Sequence, residues 1–148
     1  MIRKEKNDLE QLIRDLLRIK IKLLERDYYL VQQRKNMYTI NYANLNFPLP
    51  DISNIVSVGI PIITGNPSKI TLLPGILNCL DEKIRNYKIN KSEVNRVSHG
   101  YSIGIDTHDR LLILHDKYNR RIAFGKVEDN YFKPIVDIGL YLRNEKLF

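Results

Sequence analysis

Tryptophan is absent from the 148 residues, and cysteine occurs once, at Cys79. A single thiol excludes an intramolecular disulfide and a Cys-rich zinc site, and such sparing use fits a reducing compartment. Long apolar runs are missing as well. The most apolar stretch, Ile52 to Ile63, is broken by Asn54, Gly59 and Pro61. It falls well short of the roughly 18–20 apolar residues that span a bilayer. Met1 to Asp8 is not followed by the apolar region of a secretory signal. A soluble, intracellular protein of cytoplasm or nucleus is the expectation. Glycine and proline do not occur before Pro48, so no residue there obliges the chain to turn.

Hydrophobic residues make up 43% of the chain and charged residues 28%, too apolar for a disordered polypeptide. The length suits one domain of about 100–150 residues with an appendage. The net charge is +7, and it is uneven: residues 1–40 hold ten Lys/Arg against six Asp/Glu, the remainder fourteen against eleven. A basic excess favours anionic partners by long-range attraction.

Residues 1–36 read as an amphipathic, coiled-coil-like helix, running over 7–35 with Asn7 or Asp8 as N-cap. At 100° per residue, Leu9, Leu12, Ile13, Leu16, Leu17, Ile19, Leu23, Leu24, Leu30 and Val31 share an arc of about 160°. Leu9, Leu16, Leu23 and Leu30 also recur at heptad spacing, though charge interrupts the third heptad in either register. Oligomerisation through Leu9, Ile13, Leu16, Leu23 and Leu30 follows from that face, and so, equally, does packing on the protein's own domain. The opposite face carries Arg14, Arg18 and Lys22, with Arg26 at its edge. With Arg34 and Lys35 these are the candidate contacts for an anionic partner, nucleic acid in particular; a merely solvated face accounts for them too. The helix lacks Trp and Phe for membrane insertion, and a basic-zipper arrangement would need more basic residues ahead of Leu9.

Residues 37–52 read as a proline-containing connector, and 53–148 as an α+β domain ending in a β-meander. Ile55 to Ile60 is β-like, and Pro61 consigns the next few residues to an edge or irregular strand. Ile76, Leu77, Leu80, Ile84 and Tyr87 predict a packed helix over 76–88. Ser92, Val94 and Val97 suit a turn of helix or a loop. Tyr101–Ile105, Leu111–Leu114, Arg121–Val127 and Pro134–Leu142, separated by polar turns, read as an antiparallel meander.

The densest polar cluster is Asp106, His108, Asp109, His115 and Asp116. In a hairpin His108 and His115 would stand some 20 Å apart, too far to share an ion, and the aspartates suit turns. Gly65 to Thr71 lacks the spacing of a P-loop. Cys79 reads as a small buried thiol. No catalytic, cofactor or metal site is assigned.

Tyr101-Ser-Ile-Gly-Ile-Asp106, Ile122-Ala-Phe-Gly-Lys-Val127 and Tyr131-Phe-Lys-Pro-Ile-Val-Asp-Ile-Gly139 together resemble the closing strands of SPRY domains. The resemblance implies a β-sandwich that binds peptides through its loops. The chain departs from that pattern in lacking tryptophan and in the helical spacing over 76–88, so no binding residue follows from it.

The sequence thus leads to an α+β protein and a non-enzymatic interaction or assembly subunit, oligomerising through its N-terminal helix with the β-rich domain as docking module. The alternative is a basic, nucleic-acid-associated protein. Its partner is a protein, itself or another subunit, or a nucleic acid; no small-molecule ligand or cofactor is inferred.

Overall fold

In the computed structural model, which describes residues 2–43 and 59–140, the N-terminal helix α1 spans only Lys6–Leu17. Arg18 ends it in the left-handed conformation at φ 58°, with its N–H bonded to Arg14 O at 3.0 Å. Beyond Arg18 the burial period falls from 3.6 residues to two. Ile19, Ile21 and Leu23 are buried while Lys20 and Lys22 are exposed, the pattern of an extended chain with one face inward. Leu23 bridges Leu80 in antiparallel fashion, flanked by hydrogen bonds from Leu24 N–H to Cys79 O and from Asp81 N–H to Lys22 O. Glu10 reaches from α1 to accept the Leu23 N–H at 3.0 Å.

The long coiled-coil-like helix is therefore corrected to a helix, an extended segment and a strand, β2 (Asp27–Arg34). Leu9 and Ile13 are buried on α1, Leu16 is half-buried there, Leu23 belongs to the extended segment and Leu30 to β2. They form no continuous seam. Their burial within a sheet-based unit is what the apolar arc was for.

The described residues fall into two units divided between Asp81 and Glu82. The first holds a five-stranded sheet in sequence order: β1 (Ile2–Lys4), β2, β3 (Met37–Ala43), β4 (Ile60–Asn66) and β5 (Lys69–Leu72). Every neighbouring pair is antiparallel, and α1 lies against β5. Residues 37–43 of the expected connector are thus a strand. They turn back from β2 through Asn36, at φ 64°, a conformation asparagine tolerates. The remainder of that connector, 44–52, and the β-like run up to residue 58 lie outside the described residues. Pro61 occupies an inner strand rather than an edge. It sits where the β3–β4 register slips between Ile40 and Asn41, and a bulge is where a sheet accommodates proline.

The expected helix over 76–88 is corrected as well. Pro74–Asn78 forms a single 3-10 turn, and Ile76, Leu77, Cys79 and Leu80 are all buried. Between Gly75 and Leu80 only Asn78 is exposed, and Asn86–Lys88 is already extended as a strand, so no amphipathic helix runs through to 88.

The second unit comprises β6 (Asn86–Lys88), α2 (Lys91–Ser98), β7 (Ile103–Gly104), β8 (Leu111–His115), β9 (Arg121–Glu128) and β10 (Tyr131–Asp137). Its sheet has the order β6-β8-β9-β10-β7. β6 and β8 are parallel, and the other pairs are antiparallel. Val97, Ile103, Leu112, Leu114, Ile122 and Phe132 form its core. The protein is mostly β, with two α-helices among the described residues. None of those helices is long and apolar enough to cross a membrane.

Candidate functional site

Two parallel neighbours in a sheet release their chains at the same end, and the diverging segments leave a crevice there. β6 and β8 do this in the second unit. After Lys88 the chain continues through Ile89, whose N–H bonds His115 O at 2.9 Å, into Asn90 and α2. After His115 it enters the turn Asp116 to Arg120. Between the two walls lies a groove of about 760 Å³, lined by Lys88, Ile89, Lys91, Val94, Lys117, Tyr118 and Arg120 among others. That volume is within the range of ligand-binding clefts, about 300–1,000 Å³.

The first wall is fixed by a reciprocal cap. Asn90 Oδ1 accepts the Glu93 N–H at 2.8 Å, and Glu93 Oε1 accepts the Asn90 N–H at 3.0 Å. This capping box satisfies two amide donors at the start of α2 and ties the Glu93 carboxylate to backbone. Ile89 is buried and Val94 half-buried, which gives the groove an apolar floor.

The second wall is organised by Asp116. Its Oδ1 accepts the N–H groups of Tyr118 and Arg120, each at 2.9 Å, and its Oδ2 pairs with Arg120 Nε at 2.7 Å. Burial works to raise the pKa of this carboxyl, but the Arg120 amide and guanidinium and the Tyr118 amide outweigh it, and the pKa lies below the ordinary 3.8. A carboxyl held ionised in this way is unsuited to proton transfer near neutral pH. The turn directs Tyr118 outward, 65% exposed. Lys117 Nζ lies 5.0 Å and Arg120 Cζ 5.2 Å from its ring centroid, within cation–π range.

Charge in the groove is unbalanced. Glu93 is engaged by the cap and Asp116 by its own turn, whereas Lys88, Lys91 and Lys117 have no ion pair among the described residues. A cationic rim, an apolar floor and an exposed aromatic ring therefore meet in one concave place.

Asp116→Asn should weaken this wall with a definite pH signature. A lowered folded-state pKa contributes stability that is present above the unfolded value and lost as pH falls through the folded one. Urea unfolding should show wild type more stable than the variant at pH 7. The difference should shrink below about pH 3.8, and an equal gap at pH 3 would contradict the role given to the carboxylate.

The charged residues singled out in the sequence are placed elsewhere, all in the first unit. Arg14 is exposed on α1, Arg18 caps it, and Lys22 is exposed on the extended segment. Arg26 is half-buried just before β2, and its Nε has no hydrogen-bond partner among the described residues. Arg34 ends β2 and Lys35 sits in the following turn, both exposed. They share no helix face. His108 is exposed ahead of β8 and His115 closes that strand. Among the described residues no group of three His, Cys, Asp or Glu side chains is placed to hold a metal ion. The groove itself was missed by sequence reasoning. Its available signal was Asn90-Lys91-Ser92-Glu93, an N-cap residue with glutamate three positions on.

No protein-family model matches the chain, and no curated protein does. Among solved structures, a conserved PUA domain protein from Thermoplasma acidophilum superposes with a TM-score of 0.54 over 93% of both chains, at 10% identity. At that identity the likeness concerns the fold. It extends across nearly the whole length, whereas the SPRY resemblance concerned the closing strands, and the fold is β-rich in place of a coiled coil. The chain is thus similar in fold to a PUA domain protein along nearly its full length.

Proposed function

We propose that this protein is a non-enzymatic binder of single-stranded nucleic acid and that the groove between α2 and the Asp116–Arg120 turn receives the strand. One observation carries the proposal: the 65% exposed Tyr118 ring stands beside Lys117, which has no ion pair among the described residues, at an apolar-floored groove that Lys88 and Lys91 also line. Proteins that hold single strands combine cations for the backbone with aromatic faces on which bases stack. In a duplex the bases already stack on one another, so an exposed ring favours an unpaired base. The PUA-like fold is compatible with nucleic-acid binding.

Association through the N-terminal segment has weaker support, because Leu9, Ile13 and Leu23 lie in the core of the first unit. The nucleic-acid alternative keeps its basic residues but gains a different focus, in the second unit.

Fluorescence anisotropy of a labelled single-stranded oligonucleotide tests the proposal, with the matching duplex as competitor. The single strand should bind more tightly, and binding should weaken steeply between about 50 and 200 mM salt as counterions are released. Equal binding of both forms, or none at low salt, would overturn it.

A further inference from the structure

The extended segment that replaces the second half of the expected helix has a property no helix there could have. Arg18, Lys20 and Lys22 occupy alternate positions and are all exposed, while Ile19 and Ile21 between them and Leu23 after them are buried. At about 3.3 Å per residue of extended chain, Lys20 and Lys22 emerge some 6–7 Å apart on one side, with Arg18 just ahead of them at the left-handed end of α1. That spacing is similar to the distance between successive phosphates along an unstacked strand. Arg14 is exposed one helical turn before Arg18, in the last turn of α1.

These four cations are not neutralised by their acidic neighbours. Glu25 pairs with Lys6 and Asp27 with Arg3, each at 2.9 Å. Glu10 is turned to the Leu23 amide and Asp15 accepts from Gln11. Arg14, Arg18, Lys20 and Lys22 have no ion pair among the described residues. The segment is also held in place at both flanks, by the Arg18 cap and by the bridge to Leu80, so little order is lost when a ligand settles on it.

We infer that Arg14, Arg18, Lys20 and Lys22 form a ribbon in the first unit that tracks the sugar–phosphate backbone of a single strand, a contact surface of that unit's own with no role in reading bases. The inference rests on the proposed nucleic-acid binding and adds a surface to it. An anionic membrane is the less favoured occupant: the apolar residues of the segment point into the core, and insertion needs them outside.

The triple variant Arg18→Gln, Lys20→Gln, Lys22→Gln, made in the full chain, tests it. Each phosphate contact on a single strand contributes about 0.7 to the slope of log K against log salt. Loss of three contacts should lower that slope by about 2 on a labelled oligouridylate, with the thermal melting curve unchanged. Tyr118→Ala, measured beside it, should weaken binding with the slope retained. A wild-type slope in the triple variant would overturn the ribbon and leave the groove standing. No binding by the wild-type chain would remove both. Binding to phosphatidylserine vesicles that the triple variant loses, with its oligouridylate slope intact, would reassign the ribbon to a membrane surface and refute its role here.

Discussion

Replacing Leu23 by aspartate should unfold the first unit rather than release a smaller, folded species. Leu23 is 1% exposed, bridges Leu80, and donates its amide N–H to Glu10. Truncation of such a leucine to alanine costs about 2–5 kcal/mol through lost transfer energy and the cavity left behind. A carboxylate at the same place adds the expense of an unpaired buried charge. Against a total stability of about 5–15 kcal/mol for a typical protein, the sum is decisive. Circular dichroism and a sizing column should report loss of β structure in the N-terminal unit and an expanded hydrodynamic size. A folded chain that elutes smaller than wild type would instead place Leu23 at a contact between copies and contradict the fold described here.

Tyr118→Ala should reduce affinity for a single strand by about 5- to 150-fold, since stacking on an aromatic side chain is worth about 1–3 kcal/mol per base. The ring is 65% exposed, so stability should change by no more than about 0.5 kcal/mol. Tyr118→Phe keeps the π-face and should keep most of the affinity, which separates stacking from a hydrogen bond through the hydroxyl. Fluorescence anisotropy at one fixed salt concentration measures all three proteins. Unchanged affinity in the alanine variant would mean that the ring only shelters Lys117 and Arg120, the two cations beside it.

Part of this architecture was legible in the residues and part was not, for reasons that can be named. Leu111–His115 and Arg121–Glu128 are strands where β-rich runs lie between polar turns, because alternation with a period of two and turn residues are local signals. The stretch from Arg18 to Asp27 misled because Leu9, Leu16 and Leu23 happen to keep heptad spacing across an element boundary. Two residues carried the opposite signal. Ile21 lies outside the helical arc yet is buried, and Lys20, which would fall on a heptad seam, is exposed. Arg18 ends the helix without glycine, in a conformation that costs an ordinary residue about 1–2 kcal/mol. The tertiary bridge to Leu80 lies far along the chain, where no local pattern reports it. Over 76–88, helical spacing spanned a 3-10 turn buried up to Leu80 except at Asn78 and an exposed strand at Asn86–Lys88, two elements that no local pattern separates. The groove depends on β6 pairing in parallel with β8, a long-range fact, although the capping box that builds one wall was present in four consecutive residues.

The groove as the place where a strand binds is tested most directly by titrating an unlabelled oligouridylate into the ¹⁵N-labelled chain and following amide chemical shifts. Shifts are expected at Lys88 to Val94 and at Asp116 to Arg120, beside any at the Arg14 to Lys22 ribbon, growing with ligand and suppressed by salt. A titration that leaves both groove segments unmoved while other amides shift would contradict the groove as that place.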